Sequence, residues 1–260
     1  AGTGKGTVTK ILAKKIKLLN IDTGATYRCV TLEMLNKGIK LDELDKIKEM
    51  LENINIDMKI EDDKQLFFLD GENVTEKIRS KEVSELVSPV SSIKEVRLAM
   101  VNLQRKMAEG KDVIMEGRDI GTYVFPAADV KIYLDADLEE RAKRRFNQNK
   151  EKGINMSYVE VLENIKKRDE NDKSKEMGAL KVAKDAEVID STSMSINQVV
   201  RKISEIIKKR QTDIKLEQKI YKPRKETAWK KFVRKVVKIF LGTLYRIAYR
   251  VKITGEVPKE

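Results

Sequence analysis

The chain opens on Ala1-Gly2-Thr3-Gly4-Lys5-Gly6-Thr7, and directly after it the apolar residues Val8, Ile11, Leu12 and Ile16 recur at helical spacing. A glycine-rich turn running into a helix start constrains the fold, because glycine lets several backbone N–H groups converge where the positive end of the helix points. That arrangement is a cradle for phosphate. The complete motif is Gly-x4-Gly-Lys-[Ser/Thr]. The sequence starts inside it: the first motif glycine would lie two residues upstream of Ala1, and Gly6 stands where the motif has Ser or Thr. In this reading Gly2, Thr3, Gly4, Lys5, Gly6 and Thr7 hold the phosphates of ATP. Lys5 bridges the terminal phosphates, and Thr7 offers a hydroxyl near the Mg2+ that accompanies them. A glycine-rich leader without function is the alternative that these seven residues alone leave open.

The rest of the chain points to the same fold class. Leu18 to Ile21 reads as a short buried strand, and helices are expected from about Ala25 to Asn36 and from Asp42 to Glu52. Alternation through Ile54, Ile56, Met58 and Ile60, the run Leu66 to Leu69 and a turn at Asp70-Gly71 predict a small antiparallel insert. Helical spacing returns from Glu82 to Glu109, broken near Pro89. The apolar runs Asp112 to Met115, Val130 to Leu134 and Glu187 to Ile189 are separated by helical stretches, and a helix from Ser195 to Arg210 follows. Strands alternating with helices predict an α/β fold with an open parallel sheet flanked by helices. Ligands of such sheets sit at the carboxyl ends of the strands, where Asp22, Glu116, Asp135 and Asp190 fall.

Composition excludes several chemistries. Among 260 residues there is no histidine, which removes histidine bases and ligands, and the single Cys29 forms no internal disulfide. The opening is glycine-rich rather than basic and then apolar, unlike a signal peptide, so a cytoplasmic protein is expected. The net charge of +12 is unevenly placed. Residues 222–260 hold 12 of the 54 Lys and Arg but 3 of the 42 Asp and Glu, leaving 42 against 39 in residues 1–221. The body is therefore nearly neutral, which argues against a nucleic-acid partner. A basic binding module without catalysis would spread its charge over the body instead.

Two stretches carry a more specific signal: Asp22-Thr23-Gly24-Ala25-Thr26-Tyr27-Arg28, and Glu116-Gly117-Arg118-Asp119-Ile120-Gly121-Thr122 followed by Val124-Phe125-Pro126. They resemble the Asp-Ser-Gly-Ala-x-Tyr-Arg and Asp-Gly-Arg-Asp-x-Gly-Thr-x-Val-Phe-Pro signatures of bacterial cytidylate kinases. Lys167-Arg168-Asp169-Glu170-Asn171-Asp172 is similar to a third signature, as is Ser88 followed nine residues later by Arg97. Gly-Lys-Gly-Thr is the form of the phosphate loop usual in nucleoside monophosphate kinases. The resemblance covers residues 1 to about 210 and implies a P-loop nucleoside monophosphate kinase that phosphorylates CMP and dCMP with ATP and Mg2+.

By that resemblance Arg28, Arg118 and Arg168, with Lys5, hold the acceptor phosphate and the group in flight. Arginine suits this role because its fork is rigid and bidentate. Ser88, Arg97 and Asp119 read cytosine, Asp172 binds the ribose hydroxyls, and Thr23 and Tyr27 line the acceptor site. Thr23 replaces a family Ser and keeps the hydroxyl. Lys175 stands where the family has Arg, which leaves the choice between CMP and dCMP open. Arg141 and Arg145, four apart, resemble the lid arginines that cover ATP; a solvated basic helix explains them equally well. A surface ion pair is the plain alternative for any one charged residue, and a kinase for UMP or AMP is the rival within enzymes.

The organisation expected is a monomeric kinase domain over residues 1–210, lacking its first strand, with an acceptor-binding region at 38–108 that includes the insert. A linker at 211–226 and a basic amphipathic tail at 227–260 follow. Without the upstream strand, which in this fold lies mid-sheet, these residues are expected to fold poorly or be inactive. In the tail Trp229, Phe232, Val233, Val236, Val237, Phe240, Leu241 and Leu244 keep helical spacing among lysines and arginines. That pattern suits contact with an anionic membrane surface, or an ordinary core helix. The tail also resembles the start of 1-acylglycerol-3-phosphate acyltransferases, whose catalytic His is absent here.

Overall fold

The computed structural model describes residues 2–61, 64–151 and 153–220, with the backbone alone for 217–220. The tail at 227–260 and the last part of the expected linker lie outside the described residues. Two compact units divide the chain, residues 1–210 and 211–260.

Helix α1 (Lys5–Ile16) buries Val8, Leu12 and Ala13, whereas Ile11 from the same apolar spacing is exposed. The helix ends at Lys17, which adopts the left-handed conformation with φ 56° and donates its N–H to the Ala13 carbonyl. Strand β1 (Leu19–Asp22) leads without a loop into α2 (Thr23–Asn36), because the Asp22 carboxylate accepts the Ala25 N–H at 3.2 Å and caps the helix. The helix therefore begins two residues before the apolar spacing shows it. Then follow α3 (Leu44–Asn53) and the strands β2 (Ile56–Glu61), β3 (Lys64–Leu69) and β4 (Glu72–Asn73), which pair antiparallel as the insert.

Ser80 caps α4 (Lys81–Val90) through the Val83 N–H. Pro89 is inside its last turn, so the break between α4 and α5 (Lys94–Ala108) falls after the proline. There the Ser91 and Ser92 hydroxyls donate back to the Ser88 carbonyl at 2.8 and 3.1 Å, competing with helix continuation. Strand β5 (Val113–Glu116) pairs in parallel with β1, and β6 (Ile132–Asp135) pairs in parallel with β7 (Glu187–Asp190). Between β6 and β7 lie α6 (Leu138–Glu151) and α7 (Tyr158–Ser174), the latter opened by a Ser157/Glu160 capping box.

The sequence predicts one open sheet; the described parallel strands form two pairs, β1 with β5 and β6 with β7. What joins them is packing. Ile114 of β5 and Ile132 of β6 pack on one core with Val8 and Leu12 of α1, and with Val199, Val200 and Ile203 of α8 (Ile196–Ile220). A second core joins α2, α3, the insert, α4 and α5, with Phe67, Ile47, Val30 and Cys29 fully buried. Burial pushes the Cys29 thiol up to about 12, so it stays protonated and serves packing. A third, smaller core holds α6 against α7 through Ala142, Val161 and Ile165.

Helix α8 runs to Ile220, so residues 211–220, expected as linker, are helical. The stretch has no glycine or proline before Pro223 and is rich in helix formers, which continue a helix without an apolar period. No helix among the described residues is long and apolar enough to cross a membrane.

Candidate active site

The phosphate loop turns through two left-handed glycines, Gly2 at φ +81° and Gly4 at φ +83°, and α1 starts at Lys5. Gly4 offers no capping side chain and the first turn holds no acid, so the leading N–H groups of α1 have no side-chain cap. A Cβ on Gly2 would stand 2.9 Å from the Arg141 carbonyl oxygen, which fits the loop closely against the start of α6. A Cβ on Gly6 would lie 3.1 Å from Glu116 Oε1, so glycine at the motif's Ser/Thr position makes room for that carboxylate. Lys5 donates to the Thr3 hydroxyl at 3.0 Å. Burial, then the nearby Arg118 charge, pushes its ammonium down to about 7 against the opposing pull of Glu116. Burial and the Asp22 charge raise the Glu116 carboxyl. Thr7 is exposed on the first turn of α1.

Four elements bring arginines to this loop. Arg28 comes from α2, Arg118 from the turn after β5, Arg145 from α6 and Arg168 from α7. Burial, then Arg118, Arg28 and Arg145, pushes Arg168 down to about 10. Arg28 is lowered by burial and then by Arg79, Arg145 and Arg118, with Asp22 opposing. No carboxylate forms an ion pair with Arg28 or Arg168 among the described residues, and Arg168 Nε is buried without a partner. Arg118 donates from Nε to Asp172 Oδ2 at 2.7 Å. Burial works to raise the Asp172 carboxyl, but Arg118 and Lys175 outweigh it and hold it below the usual range.

The proposed base-reading residues meet beside this cluster. Arg97 and Asp119, on α5 and the turn after β5, form a buried ion pair, and Arg97 Nη1 donates to the Ser91 carbonyl at 3.1 Å. The guanidinium lies over the Tyr27 ring, 5.8 Å from its centroid. Ser88 Oγ and Arg97 Nε are buried without partners, polar groups in want of a ligand. Lys175 bridges Ser91 Oγ at 2.9 Å and Asp172 Oδ1 at 3.1 Å. Thr23 turns its hydroxyl to the Glu116 carbonyl at 2.6 Å, inside the protein.

The two lid candidates differ. Arg145 is exposed and bonds Gln148 on its own helix, while Arg141 donates to the Ala136 carbonyl at 2.9 Å and pairs with Asp169 of α7. Sequence reasoning did not find Ser91, the junction of Arg97 and Lys175, because a serine after a helix has no signature of its own. It also missed Arg105, whose Nε and Nη2 donate to the Val124 and Tyr123 carbonyls at 3.0 Å each and pin the turn that carries Arg118 and Asp119.

The cytidylate kinase family profile matches residues 1–209. The chain belongs to the cytidylate kinase family. A cytidylate kinase of Caldicellulosiruptor saccharolyticus is 53% identical over 209 residues, which cover 80% of this chain and 92% of that protein. Cytidylate kinases of Fusobacterium nucleatum subsp. nucleatum and Bacillus subtilis are 48% and 42% identical, each with 94% of its length covered, by 80% and 81% of this chain respectively. Membership carries the fold class, a P-loop nucleoside monophosphate kinase, and the enzyme class, a phosphotransferase acting on (d)CMP. Both the parallel strands and the antiparallel insert accord with it.

Proposed function

We propose that this chain transfers the terminal phosphoryl group of ATP to CMP or dCMP, yielding ADP and the cytidine diphosphate, with the residues above in named roles. The observation that carries the reading is the convergence of Lys5, Arg28 and Arg168 around Arg118: burial, and then the Arg118 charge among others, lowers the proton affinity of the first three, and no carboxylate forms an ion pair with Arg28 or Arg168 among the described residues. Such a cluster suits two polyphosphates brought end to end. It lies beside a buried Arg97–Asp119 pair and the unpartnered Ser88 hydroxyl, which suit the edge of a base.

A phosphate oxygen of CMP attacks the terminal phosphorus in line, and the bond to the bridging oxygen breaks with ADP as leaving group. The N-terminal N–H groups of α1 and Lys5 hold the donor phosphates, with Gly2, Thr3, Gly4, Gly6 and Thr7 shaping the loop. Arg28, Arg118 and Arg168 hold the acceptor phosphate and stabilise the charge of the group in transfer, and Asp172, held by Lys175, takes the ribose hydroxyls. Arg141 and Arg145 bound the ATP side. Thr7, Asp22 and Glu116 are hard oxygen donors beside the loop, and no cluster of three or more metal-ligating residues occurs among the described residues. That donor set fits Mg2+ held chiefly by phosphates and water. Bound there, Mg2+ supplies charge neutralisation across the ATP phosphates.

We read residues 1–210 as a monomeric, cytoplasmic unit, and the near-neutral charge of residues 1–221 supports the reading that it has no nucleic-acid partner. The basic, apolar spacing of 227–260 supports contact with an anionic membrane surface; failure of the full-length protein to sediment with phosphatidylserine vesicles would remove that reading. The acceptor assignment is tested by ADP release from Mg-ATP with CMP, dCMP, UMP and AMP, with Lys5→Ala as control. Preference for CMP or dCMP that disappears in the control is expected. Preference for UMP or AMP would retain the phosphate loop and discard the cytosine contacts.

A further inference from the structure

The chain beyond α7 returns to the site in a way that no motif announces. Helix α7 ends at Ser174, Lys175 turns the backbone out at φ −58° and ψ 132°, and Leu180 N–H comes back to donate to the Asp172 carbonyl at 2.7 Å. Lys175 Nζ ties the base of this strap to Ser91 Oγ and Asp172 Oδ1. Within it Gly178 takes φ +65°. A Cβ on Gly178 would collide with the Arg97 guanidinium and stand 2.5 Å from Asp119 Oδ2. The backbone of the strap is therefore pressed directly on the Arg97–Asp119 pair. Gly110 and Gly153 have nearly the same φ, +67° and +68°, and a Cβ on either meets nothing within 4 Å. Position 178 thus needs glycine for two reasons, conformation and closeness to a charged pair, whereas the other two need it for conformation alone.

We propose that the strap at 175–180 forms a main-chain wall of the acceptor-base pocket, and that Gly178 is a specificity-determining position. This rests on the reading of Arg97 and Asp119 as the groups that recognise cytosine. The pair is held between the Tyr27 ring, the Ser91 carbonyl and the Gly178 backbone, so it is fixed in one orientation with Arg97 Nε left without a partner. A side chain at 178 moves the pair and spoils that orientation, while the phosphate loop is built from other elements. The strap also springs from α7, the helix that carries Arg168 and Asp172, so base recognition and phosphate handling share one continuous element.

The test compares Gly178→Ala and Gly178→Asn with Gly110→Ala and Gly153→Ala in the full-length protein. Asn tolerates a positive φ, so it separates contact from backbone strain. Both 178 variants should raise KM for CMP by roughly 10- to 100-fold, the scale of a small misplacement at a binding group. They should also reduce preference for CMP over UMP and leave KM for ATP unchanged; the control variants should alter only the melting temperature. Unchanged KM for CMP, or an equal loss for ATP, would overturn the proposal. If the 178 variants fail to fold, Leu180→Pro decides, because it removes the N–H that clasps the strap and adds nothing at 178. It should raise KM for CMP selectively, and an unchanged KM would sink the wall. Asp119→Asn, run alongside, separates the two readings: no effect on KM for CMP removes the base-reading assignment itself. A strong effect there with none at 178 or 180 removes only the strap.

Discussion

The two halves of the proposed site handle charge in opposite ways. At the end proposed for phosphate, Lys5, Arg28 and Arg168 gather around Arg118, and burial, then Arg118 and other arginines nearby, lowers all three. At the base end Arg97 is matched by Asp119, both nearly inaccessible, with a carbonyl and an aromatic ring completing its surroundings. The first half is complete only with an anion in it; the second is pre-organised before any ligand arrives. A site that must accept several negative charges leaves its cations unbalanced, while a site that must read a neutral ring fixes its charged groups against each other. Arg118 links the two, because in this structure its guanidinium is on Asp172, the residue proposed for the ribose.

The largest effect that would break this contrast concerns the unbalanced half. Arg168→Met should lower kcat by about 10³-fold or more, the scale of a lost transition-state arginine. The ligand-free protein should melt higher, because a buried like charge has gone. Steady-state rates and calorimetric melting check both, and a lower melting temperature would show that Arg168 is balanced after all.

In the paired half the sign reverses. Arg97→Met should destabilise the protein by roughly 3–5 kcal/mol, the cost of leaving a buried partner charge alone, and weaken CMP binding. Denaturant unfolding together with CMP titration measures the two effects.

A pH experiment sharpens the contrast further. The unfolded chain holds the Lys5 proton up to its ordinary 10.5 and the folded one only to about 7, so between those values the unfolded state binds more protons. Stability of the ligand-free protein should therefore rise with pH across that window, with no slope from Lys5 below about 7. ATP phosphates reverse this by restoring the ammonium. Binding near pH 8 should take up about one proton, read by calorimetry in buffers of different ionisation heat, and Lys5→Met should abolish the uptake. Smallest is the junction between the halves. Asp172→Asn should raise KM for CMP about tenfold more than KM for dCMP, the scale of a hydrogen bond to a charged group, without changing KM for ATP.

Much of this was legible beforehand. The apolar runs alone put Asp22 and Glu116 at strand ends, and they are the last register pair of β1 and β5. The motifs single out Arg28, Arg118 and Arg168, and the fold draws them together. Other features were not legible. Ile11 belongs to the apolar spacing of α1 yet faces solvent, because spacing gives a stripe and not what covers its edge. Pro89 marked a break, but the helix holds it in its last turn and the serines after it end the helix. Residues 211–220 lack an apolar period and are helical nonetheless. Neither the pairing of Arg141 with Asp169 nor the anchoring by Arg105 left a trace in local pattern, since each joins residues distant along the chain.

By itself the sequence determined the chemistry: a glycine turn that exposes backbone N–H groups, a lysine to meet phosphate, arginines at motif spacing, and no histidine to act as a base. Those are properties of residue type and of short-range geometry, which a linear string carries. Only the tertiary structure decided which charges remain unbalanced and which are matched. Arg97 and Asp119, or Lys175 and Ser91, become partners when α5, α7 and the turn after β5 pack together. Gly178 matters for the same reason, because its need for glycine comes from a neighbour more than fifty residues away along the chain.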